Sequence, residues 1–463
     1  MPTEAADRKT RALAWWPALC AAGIAMAVYA STMAPSLVWS HWGTDGGDLV
    51  TAAATGRVPH PPGFPVYLWL SRIALGVTSG DPARVLNFLS ALMASGAAAL
   101  TTATALRRGI STWGALATGL TLAFAPWLWS QAIITEVYAS AAFFASLTLF
   151  LVEVAQDKGR VCWLLVGLCL GLAMSVHPTA ALLGLAVVVG TGVAWGWFAV
   201  GIVLGLLPYG FLPISGPWPQ PWGDLGSFLG WVEFVSARMY WGNAFSLPAI
   251  YWPKRGLAWL VLVARQFTPF GLLLACLGLI QVWRRHRSRA FGLLGAFALA
   301  ALYAIGYDSA DSWVYLIGYL PVLALALGSG FRWLDTHRTP AYVGLLLPLA
   351  LLVVNWQQMD LHSDREAVVW LADTLAQLPS DAVVVTNADQ HTFALWYAVD
   401  ATHTRADLTV VDRRLWGYLP YNEYLDRPGL SSPDSTQSNG ALEFLVGGRP
   451  FCEIDVEGGV MCR

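Results

Sequence analysis

The chain has 463 residues, 56% of them hydrophobic and only 12% charged, with a mean hydropathy of +0.53. Soluble globular chains carry about 25% charged residues, so this composition excludes an ordinary soluble domain. The net charge is -2 and basic residues cluster only in short loops, which argues against a nucleic-acid partner.

Arg8, Lys9 and Arg11 precede an apolar run that ends near Met33. The apolar part of a signal peptide is about 7–15 residues long. A bilayer span takes about 20, so this run reads as a retained first helix. Apolar segments predict spans near 12–34, 85–106, 111–130, 138–156, 161–177, 179–194, 196–213, 257–283, 290–306, 313–330 and 340–356, with the pair inside 179–213 poorly separated. Segment 63–79 is also apolar, but it is short, holds Pro65 and carries Arg72 at its middle, so it reads as re-entrant or interfacial. The 24 tryptophans suit the membrane–water interface.

The positive-inside rule supports this eleven-span reading. Arg107, Arg108, Lys158, Arg160, Arg284, Arg285, Arg287, Arg289, Arg332 and Arg338 all fall on the N-terminal, cytoplasmic side. A full crossing by 63–79 would turn every later basic loop outward. The expected architecture is therefore a polytopic α-helical membrane protein, N-terminus inside and C-terminus outside. Its membrane domain is 1–356, with outward loops 35–84 and 214–256.

The tail, 357–463, changes composition. A helical pattern runs from Asp364 to Leu378, strands follow at Ala382–Thr386 and Leu408–Val411, and Phe393–Val399 is a second apolar stretch between them. This reads as a small extracytoplasmic α/β domain. A turn at Glu457-Gly458-Gly459 separates two short runs, a terminal hairpin pattern. Cys452 and Cys462 lie in this tail, where an oxidising compartment permits a disulfide; free thiols are the alternative. Cys20, Cys162, Cys169 and Cys276 lie in apolar runs as packing residues, and no metal-ligand spacing occurs among the cysteines.

The first outward loop holds Asp45 and Asp48, three residues apart, followed by His60-Pro61-Pro62-Gly63-Phe64-Pro65. On a helix start the two carboxylates share a face, which suits N-capping. In a charge-poor protein the pair also suits a general base or a metal ligand. The proline-rich stretch stiffens the backbone where the chain re-enters the membrane, or makes a plain turn.

The segment TDGGDLVTAAATGRVPHPPGFPVYLWLSRIAL resembles the signature of a family of multipass glycosyltransferases of the GT-C type. That family includes the transmembrane-protein-260 class of protein O-mannosyltransferases. WSQAIITEVYAS, GLAMSVHPTA, GLLPYGFLPISGPWPQPWGD, YDSADSWVYLIGYLPVLALALGSG and TNADQHTFALWYAV are similar to the same family and occur in its order. Two features depart from it. Asp48 stands where many relatives have Glu, and the tail lacks the long repeat extensions of some relatives.

The resemblance implies transfer of a sugar, mannose in characterised relatives, from a polyprenyl-phosphate carrier to an acceptor hydroxyl on the outer face, with inversion. The acceptor would be a protein, a lipid or a glycan. It implies Asp45 as base and Asp48 as a second acid orienting acceptor or metal, with the roles exchangeable. No cofactor is required by it; a divalent cation, if used, would sit on Asp45 and Asp48. His60, Arg72, Glu136, Tyr138, His177 and Arg238 are the expected substrate-binding residues. Glu136 and His177 could equally be an interfacial acid and a helix-end imidazole. For the donor phosphate the candidates are Arg57, Arg72, His60, Arg238 and Arg265, each of which could instead be a snorkelling side chain. Asp308 and Asp311 read as a helix cap before an acceptor-cleft pair. Asp389 and His391 in the tail read as structural or acceptor-positioning.

The expected location is a cell membrane, bacterial inner membrane, with the active site on the extracytoplasmic face. A transporter or flippase is the alternative. It would place ionisable residues at the bilayer midplane and show an internal repeat, neither of which the chain displays. A degenerate scaffold is a third reading, opposed by the intact Asp45, Asp48 and His60.

Overall fold

A computed structural model describes residues 15–189, 191–216, 220–337, 340–416, 418–425 and 448–463. Arg8, Lys9, Arg11, Arg338 and the start of the 12–34 span lie outside the described residues.

The chain begins with α1 (Trp16–Thr32), a 3-10 turn (Ser40–Asp45), α2 (Gly46–Thr55) and α3 (Pro65–Val77). Then follow α4 (Pro82–Arg107), α5 (Thr112–Ala123), α6 (Pro126–Ala132), α7 (Tyr138–Lys158) and α8 (Cys162–Val176). The helical part continues with α9 (Leu183–Val188), α10 (Trp195–Leu206), α11 (Phe228–Val235), α12 (Trp252–Arg285), α13 (Arg287–Gly306), α14 (Leu320–Thr336) and α15 (Leu346–Met359).

Among the described residues, 7 helical segments are long and apolar enough to cross a membrane. They correspond to the expected spans beginning at 85, 138, 196, 257, 290, 313 and 340. Three other expected spans are the shorter apolar helices Trp16–Thr32, Cys162–Val176 and Pro178–Val188. The last, 111–130, is not one helix. It breaks after Ala123, ahead of Pro126, which can start a helix but not continue one. The carbonyl freed at Ala123 accepts from the buried Tyr29 hydroxyl at 2.7 Å. Helix α3 has 13 residues. At 1.5 Å rise it reaches about 20 Å, short of a hydrocarbon core of about 30 Å. It packs on α2, α4 and α8.

The bundle has two chemically different ends. Helix α4 starts at the Asp81 cap, whose carboxylate accepts from Arg84 N at 2.8 Å and from the Ser36 hydroxyl at 2.7 Å. Its 26 residues carry the chain about 39 Å to the other end. There Glu153 of α7 accepts from Arg108 at 2.9 Å and pairs with Arg289 of α13. Arg332 of α14 donates to the Arg108 carbonyl at 2.8 Å, and Arg107 pairs with Asp157 at 2.6 Å. The basic loops thus meet at one end. The 3-10 turn, α2, the loops after α10 and α13, and the tail gather at the other.

The tail comprises α16 (Glu366–Gln377), β1 (Val383–Thr386), α17 (Asp389–Trp396), β2 (Thr409–Asp412), α18 (Leu419–Leu425), β3 (Phe451–Ile454) and β4 (Val460–Cys462). The sheet order is β2-β1-β3-β4, with β1 parallel to β2 and β3, and β4 antiparallel to β3. Central β1 is buried along its whole length, as a continuous apolar run requires. Cys452 and Cys462 face each other across β3 and β4 and are joined as a disulfide. The apolar stretch Phe393–Val399 is helical, because its residues close α17 against the first loop rather than add a strand.

The sheet's core does not end at the tail. Val383, Val384, Val385 and Phe393 share one apolar cluster with Val50, Val58, Leu68 and Trp222. Contact is tightest at Gly47, where a Cβ would stand 2.5 Å from the Phe393 carbonyl oxygen, so any larger residue would push α17 off α2.

Candidate functional site

Helix α2 opens with Gly46 and Gly47 and carries Asp48 in its first turn. The chain leaves the helix at Gly56, in the left-handed conformation common at a C-cap. It then folds back through the proline-rich turn. Gly63 makes this return possible, with φ +85 and the Phe234 ring 2.7 Å from where a Cβ would stand. The turn delivers His60 to Asp48. Both the backbone N–H and the Nδ1–H of His60 donate to Asp48 Oδ2, each at 2.8 Å. Trp222 Nε1 donates to the other oxygen at 3.1 Å. Asp48 is only 3% exposed. A buried carboxylate is stable only when its lone pairs are met, and here three donors meet them.

Asp45 is different. Its side chain is 44% exposed, and the basic group facing it is His60 Nε2, 3.6 Å from Oδ2. The pair is an ion contact rather than a hydrogen bond. Despite the opening, enclosure by the surrounding loops pushes the Asp45 carboxyl up to about 6; Asp389, Asp48 and Asp311 add to the rise and His60 opposes it. Burial works against the His60 cation, yet Asp45, the Asp48 hydrogen bond, the Asp48 charge and Glu136 outweigh it and raise the imidazole to about 9. Just before Asp45, His41 and Trp42 both adopt left-handed backbone, with φ 58 and 66. Such residues cost about 1–2 kcal/mol each. They are held by Gln131, which donates to the His41 carbonyl at 2.9 Å, and by His41 Nε2, 3.1 Å from the Gln358 carbonyl.

Glu136 lies in the loop before α7, 4% exposed, its Oε2 accepting from Val137 N at 3.2 Å. Burial, then Asp45, pushes it well above the usual carboxylate range, against the pull of His60. From His60 a row of rings runs inward. Phe64 lies 5.1 Å from His60 and stacks at 6.0 Å on His177. His177 in turn meets Tyr138 at 5.5 Å and Tyr315 at 5.3 Å. Tyr138, His177, Thr179, Val314, Tyr315 and Tyr319 line a narrow cleft. His177 Nδ1 is held by the Thr179 hydroxyl at 2.8 Å.

The structure therefore brings together Asp45, Asp48, His60, Glu136, Tyr138 and His177. It does not bring the arginines with them. Arg72 donates to the carbonyls of Gly56 and Arg57 at 2.6 and 2.8 Å, completing the C-terminal end of α2. Arg57 pairs with Asp400 at 2.8 Å and so ties α2 to the tail. Arg238 is exposed and pairs with Glu233. Arg265 lies exposed on α12. The Asp308 N–H donates to the Asn243 carbonyl at 2.9 Å, and Asp311 accepts from the Ser309 hydroxyl. Asp389 pairs with Arg414, and His391 is buried, stacked on Trp370 at 4.5 Å. Among the described residues, no group of three or more His, Cys, Asp or Glu gathers to hold a metal ion.

Trp222, Tyr240 and Arg255 were not among the sequence candidates. Trp222 sits in the Pro- and Trp-rich stretch after α10, and a lone indole there carries no signal of its partner. The Tyr240 phenol is pushed up by burial and by the charges of Asp45, Asp48 and Asp389. Arg255 donates to the Tyr307 carbonyl at 2.8 Å and also reaches the Ser309 carbonyl, holding the loop that carries Asp311.

Residues 45–193 match the family model described as the N-terminal domain of protein O-mannosyl-transferase TMEM260. The chain is 24% identical over 465 aligned positions to protein O-mannosyl-transferase TMEM260 of Mus musculus, covering 88% of this chain and 64% of that protein. It is 27% identical over 127 positions to the Dictyostelium discoideum protein O-mannosyl-transferase tmem260, covering 27% and 15%. The chain thus spans less than two thirds of the length of these curated relatives. Among solved structures it is similar to ArnT from Cupriavidus metallidurans bound to undecaprenyl phosphate, with TM-score 0.62, 13% identity, and 94% and 92% of the two chains covered. It is also similar to the Archaeoglobus fulgidus oligosaccharyltransferase in complex with Zn and sulfate, with TM-score 0.50, 13% identity, and 85% and 62% covered. At that identity the likeness shows the fold, which is the GT-C fold. The resemblance read from the sequence, to GT-C proteins of the TMEM260 class, is borne out.

Proposed function

Taking the GT-C fold and the TMEM260-class sequence as premise, we propose that this protein is a glycosyltransferase. It moves a sugar, mannose by analogy with the named relatives, from a polyprenyl-phosphate carrier to a hydroxyl of an extracytoplasmic acceptor. The observation that carries the reading is the open carboxylate of Asp45 beside the closed Asp48–His60 pair, from which a row of aromatic rings runs inward.

Asp45 takes the proton of the acceptor hydroxyl. The oxygen attacks the anomeric carbon, the bond from that carbon to the phosphate oxygen breaks, and polyprenyl phosphate leaves. A single displacement inverts the anomeric centre. A general base works best with a pKa near the operating pH, which the raised Asp45 supports. Tyr138, His177 and Tyr315 line a narrow recess inward of the pair, and their apolar rings with polar edges are the kind of surface a sugar ring can pack against. Glu136, adjoining both, is a second acid within the site. The active face is the end opposite the Arg108–Glu153–Arg289 cluster, which the positive-inside rule assigns to the cytoplasm. A protein acceptor follows from the relatives' names alone. The transporter reading is not favoured, because these charges gather at an end of the bundle and the fold is that of GT-C enzymes.

The test is transfer from undecaprenyl-phosphate-[14C]mannose to envelope protein of a deletion strain, using purified protein in proteoliposomes. Wild type should label the acceptor and Asp45→Asn should lose at least about 100-fold. Equal labelling by both would refute the assignment of Asp45.

A further inference from the structure

We propose that His60 is the positioning residue of this site: Asp48, anchored by Trp222, aims the imidazole Nε2 at the Asp45 carboxylate and holds that base in place. The proposal rests on the functional reading above and goes beyond it, because it removes His60 from the donor-binding set.

The two ring nitrogens face two different carboxylates. Nδ1 donates to Asp48 Oδ2 at 2.8 Å and Nε2 faces Asp45 Oδ2 at 3.6 Å. The side chain is 13% exposed, its faces covered by Phe64 at 5.1 Å and Trp222 at 6.0 Å. The Nε2–H is directed at a carboxylate, where a phosphate would meet like charge. Asp48 cannot turn to serve the acceptor either, since Trp222 and the His60 backbone N–H fix it from two other directions. An orienting carboxylate of this kind sets the tautomer and direction of an imidazole. Here the imidazole then does the same for a second carboxylate. The charged groups facing His60 are Asp45, Asp48 and Glu136. Those facing Asp45 are His60, Asp389, Asp48, Asp311 and Glu136. Removing the one cation from that set leaves Asp45 among acids, so its protonated form gains.

The experiment has two readouts on detergent-purified protein reconstituted in nanodiscs. The first is the pH profile of mannosyl transfer for wild type, His60→Gln and Trp222→Phe. His60→Gln should lower kcat about 10–100-fold, change the donor KM by less than about twofold, and move the acid limb to higher pH. Trp222→Phe, which keeps an aromatic side chain but loses the pyrrole half of the indole with its N–H, should show the same direction with a smaller loss. A donor KM raised with kcat and limb unchanged would overturn the proposal and return His60 to substrate binding. The second readout needs no activity. In the 15N spectrum of the 8 histidines, His60 should keep both N–H protons past neutral pH, and Asp45→Asn should lower its titration. A wild-type His60 that titrates near its free value of about 6.5 would overturn the link whatever the enzyme transfers. Loss of transfer in wild type, with the His60 titration as expected, would count against the proposed sugar or reaction and not against His60.

Discussion

His60 Nε2 stands 3.6 Å from Asp45 Oδ2, and through the other side of the ring Asp45 is connected to a buried carboxylate that it does not touch. This relation separates two acids that look equivalent in sequence. Asp48 is closed and Asp45 is open.

The first prediction is the pH dependence of transfer. Asp45 acts as a base only when ionised, and its carboxyl is pushed up to about 6. Activity should therefore fall as pH drops through about 6 and be retained above it. His60 is raised to about 9, so its cation persists through neutral pH and is lost above that value, giving a second, alkaline limb. The profile of kcat/KM for the donor reports both groups in the free enzyme. A profile that stays flat from pH 5 to 7 would show that Asp45 is not the base.

The second prediction concerns Asp48. Replacing it by Ala leaves the Trp222 Nε1–H and two N–H groups of His60 without acceptors in a buried place. Each such donor costs about 1–3 kcal/mol. Asp48→Ala should lower the thermal unfolding midpoint clearly in detergent, and Asp48→Asn, which keeps an acceptor oxygen, should lower it less. Equal midpoints for wild type and Asp48→Ala would mean that the carboxylate holds nothing.

The sequence carried much of this arrangement, for physical reasons that differ by residue. Hydropathy marks segments that cannot remain in water, so the helices and the change at 357 were legible. The break after Ala123 was not, because Phe124 and Ala125 are as apolar as a helix interior. Asp45, Asp48 and His60 were legible as a motif, but their division of labour was not, since it depends on a turn that delivers His60 and on Trp222 from 174 residues away. The arginines carry two readings in sequence. A basic residue in an outer loop suggests an anion, yet Arg72 and Arg57 are consumed by backbone carbonyls and by Asp400.

A third prediction follows from Arg72. Its guanidinium completes the end of α2, so Arg72→Ala should destabilise the protein by about 1–2 kcal/mol, in the range of a lost helix-terminal cation. The donor KM should stay within about twofold of wild type, as expected for a group that does not touch the substrate. A tenfold rise in donor KM at unchanged midpoint would instead place Arg72 on the phosphate.

The fourth prediction tests which face the site occupies. Cys452 and Cys462 are paired on adjacent strands of the tail. In a Cys452→Ser variant with the four unpaired cysteines replaced, Cys462 is the one thiol left. A membrane-impermeant maleimide should label it in intact spheroplasts, because an extracytoplasmic tail meets the reagent directly. Labelling only after permeabilisation would turn the whole protein over and put Asp45 on the cytoplasmic side.

The last prediction lies at the opposite end of the bundle. Glu153 bridges Arg108 at the end of α4 and Arg289 at the start of α13, and Arg332 reaches the Arg108 carbonyl at 2.8 Å. One carboxylate thus joins three helices that bring their N- or C-terminal charges together. Removing it leaves two guanidinium groups facing each other with little solvent, and breaking a buried pair costs about 3–5 kcal/mol. Glu153→Ala should therefore lower the unfolding midpoint more than Asp157→Ala, whose carboxylate is 64% exposed and whose pair with Arg107 is screened. The distance from the site, about 39 Å along α4, means that the folded fraction of Glu153→Ala should keep the wild-type acid limb near pH 6. A displaced limb in this variant would show that the two ends of the bundle are coupled through the helices rather than independent.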